Sequence, residues 1–520
     1  MSTSSIAIVA SAALLGVEPR TIEVEVDLSP GMMLFSTVGL PVGAVVEART
    51  RVKSAMQNTG LPFPQKRVVV NLAPAHLRKE GTTYDLPIAL GILMAQGEIR
   101  ADALEGTLVF GELALDGRLR GVRGALPMAL HARQSGFQRL IAPMENASEI
   151  SAVTGIACLG AHTLSEVLDH LRGAAALEVV SPRTVQHAQF DGQPDLREVR
   201  GQPLARRGLE IAAAGGHHLL LIGPPGVGKT MIARRLASIT APMSEQERLE
   251  SAAVASVSGH ADPELALAGV RPFRAPHHSA SHVALVGGGN PPRPGEVALA
   301  HHGVLFLDEM PEFSRSALEA LRQPLEDRHI TISRASGRLR WPAQFSLLAS
   351  MNPCPCGYLG HPRRACVDPP HRISAYAQKI SGPLLDRLDL QVAMEIPDKG
   401  ALFGSEPGEA SSIVAERVAE ASSRQLHRCD RLQMPLTRNA DLRPAKLSMT
   451  CTMSPEGARF FEQVFSTLDL SHRAHDRVLR VARTIADLDG STDLEPHHIA
   501  EAVQFRPLDR DQALSGGLRR

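Results

Sequence analysis

The stretch LLLIGPPGVGKTMIARRLA, Leu219 to Ala237, decides how the middle of the chain folds. Leu219 to Ile222 read as a strand, and MIARRLA has helical spacing. Between them Gly223-Pro224-Pro225-Gly226-Val227-Gly228-Lys229-Thr230 fits G-x-x-x-x-G-K-[ST]. Glycines there let backbone N–H groups converge on phosphate oxygens, and the following helix presents its N-terminus to the same anion. In such a loop Lys229 reaches the β- and γ-phosphates and the Thr230 hydroxyl ligates Mg²⁺. A plain Gly/Pro turn would satisfy the short pattern by chance. The strand before it and the helix after it favour the phosphate loop.

A second apolar run, Gly303 to Leu307, ends in Asp308-Glu309. Acids at the carboxyl end of a strand face the crevice where open α/β sheets bind ligands. Asp308 is the candidate to hold Mg²⁺, and Glu309 to polarise an attacking water. A third run, QFSLLASMNP, delivers Asn352 to the same edge, where it would orient that water. ATP and Mg²⁺ are the expected cofactors.

The chain has 520 residues, with 55 Lys+Arg against 55 Asp+Glu. A nucleic-acid partner must therefore be met by a local basic surface. Aromatics are 3% of the residues, which argues against an aromatic platform for stacking bases. Of the six cysteines, Cys158, Cys354, Cys356, Cys366, Cys429 and Cys451, half fall between 354 and 366. That clustering suits a metal or local redox site better than a disulfide framework. The opening MSTSSIAIVASAALLG has no basic residue before its apolar run, and VEPRTIEVEVDL alternates like a strand, so the two read as a β-hairpin. No run is long and apolar enough to span a bilayer, and a cytoplasmic protein is expected.

Residues 1–171 mix strand-like and helical runs and read as one α+β domain; 172–194 have little periodicity and read as a linker. In 195–400 strands and helices alternate, as an α/β nucleotide domain requires, and 401–520 are helical in pattern, from SPEGARFFEQVFSTL to EPHHIAEAVQF. The fold class is thus α/β multidomain. Within the second domain ITISRA and RLRWPA alternate like strands around Ser336-Gly337, a hairpin pattern that clusters Arg334, Arg338 and Arg340 near its tip. Basic residues on an edge hairpin also serve simply to discourage edge pairing.

The strings GPPGVGKT, RPFRAPHHSASHVALVGGG, RPGEVALAHHGVLFLDEMPEF, NPCPCGY and SGPLLDRLDL together resemble the magnesium-chelatase-like branch of the AAA+ ATPases. More narrowly they resemble the bacterial YifB/ComM family, across nearly the whole chain. The resemblance implies a homo-oligomeric, hexameric ring with ATP sandwiched between neighbours. It places Val199 and Gln202, in DLREVRGQ, beside the adenine. It maps an arginine finger onto Arg387 and the sensor-2 arginine onto Arg473, with Arg480 competing for that role. It sets the hairpin in the central pore, gripping DNA, and makes RPFRAPHHSASHVALVGGGNPPRPGE a second pore-facing insertion. His278 and His282 there lie four apart, as on a helix face, but read as structural, like His301-His302.

In such families the cysteine segment commonly holds two C-x-C pairs. Here Asp368 stands at the fourth position, so Cys354, Cys356 and Cys366 with Asp368, His361 or His371 would complete a Zn²⁺ site, or form a loop that has lost its metal. GELALDGRLRGVRGALPMAL, Gly111 to Leu130, resembles the Lon proteolytic domain, which implies a ribosomal S5-like α+β fold. That domain uses a Ser nucleophile and a Lys base. Tyr84 and Asp85 stand in the Ser stretch GTTYDLPIA and the Lys position falls near Leu126, so an inactive domain is expected. Thr82 or Thr83 offers a hydroxyl without an evident base. The function implied is an ATP-driven translocase or helicase promoting branch migration when incoming DNA recombines during natural transformation. The alternatives are a magnesium-chelatase ATPase subunit acting on a porphyrin metallation partner and an ATP-dependent Lon-like protease.

Overall fold

The computed structural model describes residues 6–181, 194–334, 337–396, 408–435, 437–468 and 471–506. The opening hairpin forms as read. β1 (Ala7–Leu15) and β2 (Glu18–Ser29) pair antiparallel from Ala7 opposite Val26 to Leu15 opposite Glu18. Gly16 makes the turn at φ +68°, a left-handed conformation that other residues resist. Along β2, Ile22, Val24 and Val26 are buried while Glu23 is exposed, the two-residue alternation of a one-sided strand. With β3 (Phe35–Val38), β4 (Arg67–Ala73), β5 (Thr107–Val109), β6 (Arg139–Pro143), β7 (Ala157–Ala161) and β8 (Glu178–Val179) they form an eight-stranded sheet, ordered β8-β7-β6-β5-β1-β2-β4-β3. β8 lies inside the stretch read as a linker. It pairs with β7 through Glu178–Gly160 and Val179–Leu159, and the nearby Leu177 is buried; residues 182–193 lie outside those described.

The second sheet is wholly parallel. Its strands are β9 (Leu219–Ile222), β10 (Phe273–Arg274) and β11 (Val304–Leu307), then, beyond the two-stranded hairpin of β12 (His329–Arg334) and β13 (Gly337–Pro342), β14 (Ser346–Met351) and β15 (Leu390–Ala393). The order is β10-β11-β14-β9-β15. Buried on both faces, β9 and β11 read as unbroken apolar runs. Ile222 lies opposite Met351 and Leu307 opposite Ala349, so three strands end at one edge of the sheet.

The C-terminal part is helical: Ser411–Arg431, Pro455–Leu468, His472–Leu488 and Pro496–Gln504. Its core is continuous with one face of the parallel sheet, joining Val478, Ile485 and Phe505 to Leu219 and Val392. The first sheet's layer also shares a core with the helices beside the second sheet, where Ala12, Leu126 and Met128 meet Ala252, Ala266 and Leu267. The molecule is thus mixed α/β and multidomain, with a helical C-terminal part. Among the described residues no helix is long and apolar enough to cross a membrane.

Candidate nucleotide site

The loop after β9 opens on Gly223 and passes through Gly226 and Gly228, at φ +83° and +92°, conformations that turn successive peptide N–H groups inward. Helix residues Lys229–Ala233 follow. The Lys229 ammonium donates to Gly223 O at 2.6 Å, Pro224 O at 3.1 Å and Asn352 Oδ1 at 2.9 Å. Its three N–H bonds are thus satisfied by acceptors that hold it over the loop. Burial pushes its pKa below the ordinary lysine value, with Asp308 and Glu309 opposing. Thr230 Oγ1 donates to Asp308 Oδ2 at 2.9 Å. Asn352, Asp308 and the loop stand together because β14, β11 and β9 are parallel neighbours.

Glu309 is exposed and sits at φ +51°, strained for a residue with a Cβ. Its N–H donates to Ser350 Oγ at 3.0 Å, and that hydroxyl donates to Asp308 Oδ1 at 2.5 Å. Ser350 is fully buried and orients both acids, a residue that no sequence motif singles out. The one trace it leaves there is a hydroxyl in the apolar run SLLASM. Gln202 reaches the region from the helix Pro203–Gly215, donating to Glu395 O at 2.7 Å and Val227 O at 3.5 Å, and Val199 is fully buried nearby. Two hard oxygens paired beside a positive loop match what Mg²⁺ and a polyphosphate require, so the residues fit ATP with Mg²⁺.

Arg387 and Arg473 lie elsewhere. Arg387 precedes β15, at the sheet's amino edge, where it pairs with Glu326 and donates to Pro383 O at 2.6 Å. Arg473 is exposed, bonded at 3.3 Å to Asp386, the neighbour of Arg387. Both line a cleft of about 1170 Å³ with Arg271, Arg438, Arg477 and Arg480. No residue of the Gly223–Thr230 loop, nor Asp308, Glu309 or Asn352, lines it. Arg480 donates to Leu442 O at 2.8 Å.

The arginine hairpin has Thr331 opposite Arg340 and Ser333 opposite Arg338, both arginines exposed; Arg334 faces Gly337 in the backbone register, and residues 335–336 lie outside those described. In the other insertion the helix begins at His282, so His278 shares no helix face with it. His301 and His302 are buried against Glu250. In the first domain Leu126 is fully buried, Asp85 is bonded to Arg51 Nε at 2.6 Å, and the Thr82 hydroxyl donates to Glu112. Cys354, Cys356, Cys366 and Asp368 gather in one cluster, which His361 and His371 do not join.

The sequence is similar to those of known proteins. The model of magnesium chelatase, subunit ChlI, matches residues 195–402, a further model of that subunit matches 24–146, and one for its C-terminal part matches 408–506. The chain is 45% identical over 507 residues to YifB of Salmonella typhimurium, covering 97% of this chain and 98% of that protein. It is 44% identical to the competence protein ComM of Haemophilus influenzae, with the same coverage of 97% and 98%. Over 136 residues, 26% of the chain, it is 29% identical to Lon protease 2 of Bacillus subtilis, covering 23% of that protein.

Proposed function

The chain belongs to the YifB/ComM family of magnesium-chelatase-like proteins, and from that premise we propose that it is an AAA+ ATPase whose ring moves along DNA. The observation that carries the ATPase reading is the meeting of Lys229, Thr230, Asp308 and Asn352 at one sheet edge. ATP bound with Mg²⁺ would supply a γ-phosphoryl group whose transfer to water, with ADP leaving, does the work. Backbone N–H groups from Gly226 to Thr230 and the Lys229 ammonium would hold the phosphates, Thr230 and Asp308 would hold the metal, and Gln202 and Val199 would flank the base. Glu309 takes a proton from the attacking water while Asn352 orients it.

Arg387 serves a neighbour's site, and its place supports this. The strands β9 and β15 run in register, Leu219 opposite Leu390, so Arg387 and the loop after Ile222 stand at opposite ends of the sheet. Four residues of strand separate them by roughly 13 Å, more than the side chain spans. Arg473, beside it on Asp386, acts from the same face. The helical C-terminal part is then the AAA+ lid. The first domain is Lon-like without the Ser–Lys pair of that chemistry: Tyr84 and Asp85 stand in the serine's stretch, and Leu126 occupies the base position. Arg334, Arg338 and Arg340 contact phosphates in the pore. ComM is named as a competence protein, which supports branch migration of incoming DNA as the task of this chain, and the Lon-like first domain with the cysteine cluster speaks for it over the chelatase subunit.

The test is ATP hydrolysis with and without DNA, alongside unwinding of three- and four-strand junctions by the purified protein. DNA-stimulated turnover with junction unwinding is expected. Stimulation only by a porphyrin-metallating partner would assign the chelatase role, and casein cleavage a protease.

A further inference from the structure

Residues 352–369, between β14 and the helix Pro370–Ala377, contain no helix or strand. Irregular loops longer than about 12–15 residues are uncommon in compact domains unless something holds them. Apolar packing does not: Leu359 and Val367 are both exposed, and from His361 to Pro370 no side chain is buried. What the loop does bury is Cys354, with Cys356 and Cys366 around it.

The three sulfurs form a nearly equilateral triangle. Cys354 Sγ lies 3.3 Å from Cys356 Sγ, and Cys366 Sγ lies 3.6 Å from each. Around a tetrahedral zinc with Zn–S near 2.3 Å, sulfurs stand about 3.8 Å apart, so an expansion of a few tenths of an ångström admits the ion. Asp368 closes the fourth side. Its Oδ2 accepts the Cys356 N–H at 2.7 Å, and its ligand atom lies within 4.8 Å of every sulfur. Leu359 N–H donates to Cys354 Sγ at 3.3 Å, the backbone support that thiolate ligands commonly receive. His361 instead turns Nδ1 to the N–H groups of Arg363 and Arg364, at 3.0 Å each.

The loop's position gives the cluster a purpose. It begins at Asn352, which holds Lys229, and it folds back over the phosphate loop: a Cβ added at Gly357 would stand 2.8 Å from Pro225. We propose that Cys354, Cys356, Cys366 and Asp368 bind one Zn²⁺ and that this ion clamps the loop against Pro225, holding Asn352 in place to meet the nucleotide. The metal site stands on its own; the coupling to Asn352 rests on the proposed ATPase.

Elemental analysis of the purified full chain tests the first half. About one zinc per chain is expected, and Cys356→Ser or Cys366→Ser should leave less than a tenth. Asp368→Asn should keep the ion but release it to a chelator at least tenfold faster. Metal-free protein refilled with Co²⁺ should give the ligand-field bands of tetrahedral thiolate-bound cobalt. Wild-type protein that holds no zinc and gives no such bands, or cysteine variants that hold zinc as well as wild type, would overturn the site. For the second half, zinc-stripped protein should bind a fluorescent ATP analogue at least tenfold more weakly and recover on refilling. Unchanged binding would overturn the coupling. A chain that holds zinc yet hydrolyses no ATP would refute the ATPase and leave the metal site standing.

Discussion

Lys229 donates to three protein oxygens, so it must release one of them to reach a phosphate, and its removal takes away both the proposed phosphate contact and the tie to Asn352. Lys229→Ala is expected to weaken ATP binding by about a hundredfold or more, the scale of losing a charge-assisted contact in a desolvated site; calorimetry with ATP and Mg²⁺ checks it. Glu309→Gln keeps the left-handed backbone and the N–H to Ser350 but removes the proposed base, and turnover should fall by roughly 10²–10⁴ with binding retained. Normal turnover in that variant would place the base elsewhere. These positions are legible in the sequence because the phosphate loop fixes residue type at fixed spacing. Ser350 is not. A single hydroxyl in an apolar strand has no pattern, and only pairing with β11 brings it beside Asp308.

At the scale of elements, the hairpin of β12 and β13 is readable because its strands alternate and a Gly marks the turn. Its anchorage is not. Trp341, at its base, is fully buried, and Gly16 of the first domain packs on it: a Cβ there would meet Arg340 O at 3.3 Å. Gly16→Val adds bulk at a position of φ +68° and should cost roughly 1–2 kcal/mol of stability, read as a lowered thermal midpoint. Removing Arg338 and Arg340 together is expected to spare basal ATP hydrolysis, weaken DNA binding and lower the slope of log affinity against log salt by about one for each phosphate no longer neutralised. A slope equal to wild type would leave the hairpin as an edge device only.

For the whole molecule, the proposed role of Arg387 at a neighbour's site makes assembly a condition for turnover. Arg387→Ala should bind ATP yet hydrolyse it about 10³–10⁵ times more slowly. Mixed with Lys229→Ala, it should regain activity, because one interface then joins an intact loop to an intact arginine; two inactive proteins that stay inactive when mixed would refute the neighbour's role. Stability should also depend on pH through two buried histidines. His218 Nδ1 accepts the Leu347 N–H and His301 Nδ1 the Gln344 N–H, both at 3.0 Å. Burial drives both pKa values down to about 4 from the usual 6.5, helped by Arg328 at His218 and opposed by Glu250 at His301. Between those values the unfolded chain binds more protons than the folded one. The stabilisation is therefore complete above pH 6.5 and is lost as pH falls toward 4. The thermal midpoint at about pH 5 should lie below that at about pH 7, with protons taken up on unfolding.

Local order in this protein is written in the chain itself. A glycine-rich turn between strand and helix, acids closing an apolar run, a two-residue alternation and helical spacing each reflect backbone geometry that neighbours in sequence impose. What lies far apart in sequence is settled only by packing. That Glu178–Val179 extends a sheet rather than a linker, that Asp368 and not a histidine faces the three cysteines, and that Arg387 and Arg473 share a face away from the phosphate loop depend on strand order and on side chains meeting across the fold. No periodicity encodes such meetings, because they arise only when separate elements bury their apolar faces together.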